Sequence, residues 1–545
     1  MTRSRKQENN PNSACLFYDL EVAPESYNFP LFLLLAKDWM AKRGISQSHL
    51  IIVPGLKDGY RTTGNPHAID HSNWRLRQLL APSALAFLPE ASFTICHTRE
   101  EAKHAWTAAQ QKAAEVFPND YSPDAPTAVF SIKEFCDAER RGEKTARFSP
   151  SPQSIEYLRS WRSDVVGDRR LIVITFRQAN YQSSRNSDID SWIRFAKSLD
   201  PARYYPILVP DTELALQQRG DIQGVPTFTE ACFNLELRFA LYQLAWLSMA
   251  VNTGPACLNA QTDNISYLHF KMVTRSINCS DLAYFEKERF YPGSQWPCAN
   301  DTQILIWEDD HYDMITKAFE VMVDRKEGTG LWNDQRFEKS IRDELSADRF
   351  ETASQWSACF VAFAPRSLEA WLLRAESLLS LERYHEALLT LISAQERFPH
   401  AAKQWGSRKI HPAAAGIGNA YAVLMKDGSA WRLRRSFTAL SEQRLGQTAT
   451  NKTCLIFGAG QGGKLAKNRL PHWLRPIGFI DNDPAKQNQT VDNLPIYNIH
   501  QTQALNYDYI LIASMAAIEI FEQLCLEDIP VENVFFLEPE MILPR

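Results

Sequence analysis

Apolar and polar positions change rhythm several times along this chain. Residues 14–18, 49–53, 91–96 and 128–132 are short apolar runs that read as strands, and residues 29–42, 74–80 and 99–114 between them carry helical patterns. Strands alternating with helices predict a parallel sheet covered on both faces. Residues 142–152, with Lys, Arg, Ser and Pro, read as a linker. The rhythm restarts at residues 171–176, almost wholly apolar, as a strand buried on both faces should be. Residues 205–209, 250–252, 267–273 and 303–307 continue as strands, with helices over 191–199, 234–249 and 312–325.

Residues 335–445 become helical throughout. Arg349, Phe350, Ala353 and Pro365 recur 34 residues later as Arg383, Tyr384, Ala387 and Pro399. Trp371, Ala375, Leu378, Tyr384, Ala387, Leu391, Ala394 and Pro399 resemble a tetratricopeptide repeat, which implies stacked helix pairs serving as a spacer or a peptide-binding surface.

The last stretch returns to strands at 454–457, 477–480, 509–513 and 533–537, with a helix over 516–527. Gly458, Gly460 and Gly463 form a G-x-G-x-x-G between the first of these strands and a helix, and Asp481 ends the second strand. That order is the dinucleotide fingerprint. Gly458 permits the turn, Gly460 admits a pyrophosphate, Gly463 lets helix and strand pack, and Asp481 accepts from ribose hydroxyls. The Gly478–Asp483 strand, Gly-Phe-Ile-Asp-Asn-Asp, resembles the small Rossmann domains of bacterial polysaccharide-biosynthesis acetyltransferases and dehydratases. The resemblance implies a nucleotide sugar or NAD as ligand. No Tyr-x-x-x-Lys pair follows, so redox chemistry in this unit is not expected.

Four domains are therefore expected, at 1–150, 151–333, 334–448 and 449–545. Composition narrows the class further. Hydrophobic content of 45% and charged content of 23% are those of folded proteins, and a net charge of −5 argues against a nucleic-acid partner. Residues 1–11 are polar, unlike a secretory signal. Residues 29–36 fall well short of the roughly 20 apolar positions of a membrane helix. A cytoplasmic protein without a transmembrane segment is the expectation. Ten cysteines lack any C-x-x-C pair and read as reduced thiols.

Candidate chemistry concentrates in residues 14–330. Arg177 directly follows the 171–176 strand, at the carboxyl end where open α/β sheets bind ligands. A guanidinium there suits a diphosphate, and Arg185 and Asn186 lie in the polar loop that follows. Asn252, Thr253 and Gly254 form a small-residue turn that presents N–H groups and hydroxyls to an anion. Residues 230–234 stand where a ribose or base is met. Asp19, after the first strand, is the candidate general base, with Asp58 and His97 as competitors. His67, Asp70 and His71 read as surface or capping residues, and the acids at 308–310 and 313 as helix N-terminal charges, so no metal site is expected.

Two successive α/β domains carrying these residues resemble the GT-B glycosyltransferases, in which a basic residue at the place of Arg177 contacts the donor diphosphate. The fucosyltransferase His-x-Arg-x-x-Asp pattern is not met, since Thr175 and Asn180 occupy its ends. The resemblance implies an α/β protein with two Rossmann-like domains in GT-B arrangement, a helical segment and a C-terminal Rossmann-like nucleotide-binding domain. It implies metal-independent sugar transfer from a nucleotide sugar to a glycan or protein acceptor in bacterial surface-glycan assembly. A nucleotide-sugar epimerase on the same fold and a non-catalytic nucleotide-binding scaffold are the alternatives.

Overall fold

The computed structural model describes residues 13–62, 69–128, 132–143, 145–275, 277, 279–426, 428, 431–445, 451–514, 516–527 and 529–542. It falls into two compact units, Met1–Phe290 with Gln295–Thr329, and Tyr291–Ser294 with Gly330–Arg545. The class is mixed α/β, with three parallel sheets and a helical segment.

In the first unit, β1 (Ser13–Asp19), β2 (Gln47–Val53), β3 (Ser92–Ile95) and β4 (Glu115–Phe117) form a parallel sheet in the order β3-β2-β1-β4. Helix α1 (Asn28–Arg43) crosses from β1 to β2 and stops at Gly44. That residue adopts φ +67 and donates its N–H to Ala41, the left-handed cap a glycine takes without steric cost. Helix α2 (Ile69–Arg75) continues through a π turn, Leu76–Leu80, into α3 (Ala81–Phe87). The side chain of Thr98 caps α4 (Arg99–Gln111).

A second parallel sheet joins β5 (Arg170–Thr175), β6 (Tyr204–Val209), β9 (Leu247–Val251), β10 (Tyr267–Phe270) and β11 (Gln303–Leu305) in the order β11-β10-β9-β5-β6. A small hairpin of β7 (Asp221–Ile222) and β8 (Val225–Pro226) stands apart. Leu171, Ile172, Val173 and Ile174 are fully buried, which is why the sequence of β5 does not alternate. The two sheets share one core. Phe87 stacks on Phe148 at 4.1 Å and meets Phe239 edge-on at 5.6 Å. Phe148 belongs to the stretch read as a linker, and its N–H bonds Gln261, so this segment is packed.

Three local expectations change. The strand sought at 128–132 lies partly outside the described residues, and Ile132 instead opens a helix, Ile132–Arg140. The helix sought over 234–249 is two elements, the helix Leu235–Leu244 and the buried strand β9. Strand β4, three residues long, was not anticipated.

In the second unit, helices Asp334–Ser346, Phe350–Phe363, Leu368–Ser380 and Tyr384–Arg397 pack in series. The 34-residue repeat is structural. Asp348 and Glu382 both take positive φ, of 55 and 57, just before equivalent helices, and Ala353 and Ala387 are fully buried at matching positions. The third sheet contains β12 (Lys452–Phe457), β13 (Leu474–Ile480), β14 (Thr490–Val491), β15 (Leu494–Tyr497), β16 (Tyr509–Ile512) and β17 (Val534–Phe536). Its order is β14-β15-β13-β12-β16-β17, parallel except for the β14–β15 hairpin.

Candidate functional site

The loops that leave the carboxyl ends of the first unit's two sheets enclose a cavity of about 1060 Å³. Arg177, Arg185, Asn252, Thr253 and Gly254 all line it, so five residues picked from separate loops meet at one place.

Their roles within it differ. The buried Arg177 donates to the carbonyls of Gln182 at 3.0 Å and Tyr181 at 2.7 Å and to the side chain of Asn186. Its guanidinium chiefly shapes the loop over residues 177–187. Burial, then the neighbouring Arg185, pull Arg177 below its ordinary range, and an anion beside them relieves both effects. Arg185 reaches Gln182 Oε1 at 3.1 Å and the Asn252 carbonyl at 3.2 Å, so it ties two predicted loops together, and its Nε is buried without a partner. Asn252 in turn donates to the Met272 carbonyl. Gly254 serves close approach: a Cβ built there would lie 2.5 Å from the Tyr27 ring, which comes from the first sheet's side of the cavity. The turn it opens, Gly254–Ala256, continues only into the four-residue helix Cys257–Ala260, so little helix dipole is available there.

Asp19, the candidate base, lies away from these residues. It is buried at the end of β1, and Arg99 grips it with two bonds of 3.0 Å while Tyr121 donates to it at 2.9 Å. The Glu21 N–H takes a further position on Oδ1. Asp19 does not line the cavity, and its two oxygens are occupied by these contacts.

Two cavity residues escaped the sequence reading. Arg238, in the helix Leu235–Leu244, is buried; its Nε donates to the Ala231 carbonyl at 2.7 Å and its Nη1 to the Tyr242 hydroxyl at 3.3 Å. No carboxylate among the described residues pairs with it. A buried cation without a counter-ion is costly unless a ligand supplies one. The available signal was a lone Arg inside an apolar helical run. Glu25, in the loop after β1, is also buried. Ser72 donates to its Oε1 at 2.8 Å, while Oε2 has no hydrogen-bond partner among the described residues. Nothing in the sequence marked it. Deeper in the cavity, His269 Nε2 accepts from the Asn259 side-chain amide at 3.1 Å, and burial pushes its pKa down to about 3, so it is neutral.

The remaining candidates are engaged elsewhere. Asp310 accepts from the Asp188 N–H at 2.7 Å and from Trp192 at 2.8 Å, so the acidic run is bound into the fold. Among the described residues no group of three or more His, Cys, Asp or Glu is placed to hold a metal ion. His67 lies outside the described residues. Asp58 stands at positive φ in the turn after β2, and the His97 N–H bonds Glu101; neither lines the cavity.

In the second unit the glycines divide by role. A Cβ on Gly463 would lie 1.8 Å from the Gly458 carbonyl oxygen, so close helix–strand packing demands glycine. Gly458 takes φ +111 against the Ala513 carbonyl, and Gly460 faces open space. Asp481 accepts from the Ala459 N–H at 2.8 Å and the Asp483 N–H at 3.0 Å, and Lys486 lies 3.2 Å away. Burial opposes ionisation, but these N–H groups and Lys486 hold Asp481 below the usual carboxylate range. Asp481 therefore braces its own glycine loop.

A family described as C2185-like, N-terminal, matches residues 450–535. No curated protein matches the chain. Among solved structures, the chain is similar to a glycosyl transferase family 9 protein from Veillonella parvula DSM 2008, at 10% identity and a TM-score of 0.32, over 59% of this chain and 90% of that one. It is also similar to a protein from Listeria monocytogenes described as a UDP-N-acetylglucosamine 2-epimerase, at 12% identity and a TM-score of 0.24, over 69% and 96% of the two chains.

Proposed function

We propose that the first unit is a metal-independent glycosyltransferase that takes a nucleotide-sugar donor into the 1060 Å³ cavity. The observation that carries this reading is Arg238, a buried cation on the cavity wall that pairs with no carboxylate among the described residues. A donor diphosphate supplies the missing charge, with Arg185 beside it across the Asn252 turn. In the reaction the acceptor oxygen bonds to the anomeric carbon as the bond from that carbon to the diphosphate oxygen breaks. The acceptor proton passes to Glu25, and the nucleoside diphosphate leaves against Arg238 and Arg185. Glu25 replaces Asp19 as the candidate base because it lines the cavity and one of its oxygens is uncommitted.

The finer features belong to the same proposal. The four domains at 1–150, 151–333, 334–448 and 449–545 divide the work. The repeat helices act as a tetratricopeptide-like docking or spacing segment. The C-terminal sheet, around Gly458, Gly460 and Gly463, is an accessory nucleotide or NAD domain. The setting is cytoplasmic assembly of bacterial surface glycans. The test is calorimetry of the full chain with UDP-, GDP-, dTDP-, CMP- and ADP-sugars. One donor class binding to the wild type and lost in Arg238→Met is the expected result. No binding by any donor sinks the proposal.

A further inference from the structure

Three of the four strongly exposed aromatic rings among the described residues, Trp74, Tyr181 and Phe233, line this one cavity; the fourth, Tyr157, does not. Of the three, only Trp74 comes from the first sheet's side. It keeps 38% of its surface exposed although it sits on a short helix, α2, that is firmly held. Ser72 Oγ donates to Glu25 Oε1 at 2.8 Å, and Arg75 Nε donates to the Glu25 carbonyl at 2.6 Å. Trp74 lies between those two anchors in sequence, and His71 stacks beside it with ring centroids 6.4 Å apart.

A large ring kept partly exposed on a held helix forgoes part of the free energy that full burial would give it. The same cavity is also lined by Glu25, a buried carboxylate with one oxygen unpaired among the described residues, a state that costs free energy until a donor arrives. The two features fit one kind of ligand. A sugar ring offers an apolar face of C–H groups to an aromatic ring and hydroxyl donors at its edge to a carboxylate.

We infer that Trp74 and Glu25 form a subsite for a carbohydrate ring on the first sheet's wall of the cavity. Within the proposed reaction it is the acceptor site, and the acceptor is a glycan; that label, though not the subsite, rests on the proposed function.

The test is direct binding by the full chain to immobilised glucose, galactose, N-acetylglucosamine, N-acetylgalactosamine and sialic-acid-terminated oligosaccharides, with adenosine, guanosine and uridine on the same surface. The variants are Trp74→Ala, Trp74→Phe and Tyr157→Ala. The expected result is binding of at least one sugar, weakened about 10-fold or more by Trp74→Ala, largely kept by Trp74→Phe and unchanged by Tyr157→Ala. Equal sugar binding by Trp74→Ala and the wild type overturns the inference. So does the absence of sugar binding, or Trp74-dependent capture of nucleosides alone. Donor calorimetry is read separately. Sugar binding that depends on Trp74 without any donor binding removes the transferase reading and leaves the subsite standing.

Discussion

Replacing Arg238 by Met separates a ligand-binding cation from a structural one. Methionine keeps the length and apolar stem and removes the charge. If a diphosphate pairs with this buried guanidinium, losing it costs about 2–5 kcal/mol of binding, or roughly 30- to 4000-fold in Kd. A charge pair at about 4 Å with an effective dielectric near 20 gives about 4 kcal/mol, inside that range. The unliganded protein responds differently. It loses the bonds to Ala231 and Tyr242, about 1 kcal/mol each. It is also relieved of a buried, uncompensated cation, a gain that offsets part or all of that loss. The expected outcome is a melting temperature close to wild type without ligand and near-complete loss of the ligand-induced shift. Calorimetry with whichever donor binds the wild type gives the affinity ratio. Two results refute the reasoning: unchanged affinity in Arg238→Met, or an unliganded variant that no longer folds. The second would make Arg238 a structural charge whose partner is the protein itself.

Asp19→Asn breaks a buried pair with Arg99 and is expected to cost about 3–5 kcal/mol of stability, read as an early thermal transition. Glu25→Gln is expected to lower turnover by about 10²- to 10⁴-fold at unchanged donor affinity; the opposite pattern in the two variants would return the base to Asp19. In the second unit, Gly463→Ala drives a methyl into the Gly458 carbonyl, while Gly460→Ala meets open space. The first is expected to destabilise the unit by about 1–3 kcal/mol or more and the second to be nearly neutral in chemical denaturation. Burial, then Glu519, push the Glu522 carboxyl from 4.5 up to about 7. The native state therefore holds this proton more tightly than the unfolded chain. Its stabilisation is complete below about pH 4.5 and is lost as pH rises through about 7. Melting of the second unit should weaken across that window, and Glu522→Gln should flatten the dependence; an unchanged slope in the variant refutes the assignment.

The elements easiest to read in the sequence are those whose pattern one physical cause dictates. The unbroken apolar run of β5 follows from burial on both faces, and the 34-residue recurrence follows from stacked helix pairs. Gly463 is legible because no other residue fits beside the Gly458 carbonyl. Boundaries failed where two elements share apolar composition. The helix Leu235–Leu244 runs into the buried strand β9 with only Ala245 and Trp246 between them, and periodicity does not divide them. Strand β4 is too short to show a period at all.

For the site, sequence reasoning located strand ends correctly and partners poorly. Asp19 ends β1 and Glu25 lies in the loop that follows, six positions on, and both are buried carboxylates. What distinguishes them is Arg99, 80 residues beyond Asp19, which takes both of its oxygens, while Ser72 takes only one oxygen of Glu25. The same logic ranks the arginines. Arg177 has the more telling position in the sequence, but it spends its guanidinium on the carbonyls of its own loop. Arg238, hidden in an apolar helix, has a carbonyl and a hydroxyl as partners and no carboxylate among the described residues. Availability for a ligand is thus a property of what the fold leaves unpaired. On that criterion Arg238 and Glu25, one from each side of the cavity, are the two charged residues on which the proposed function is built.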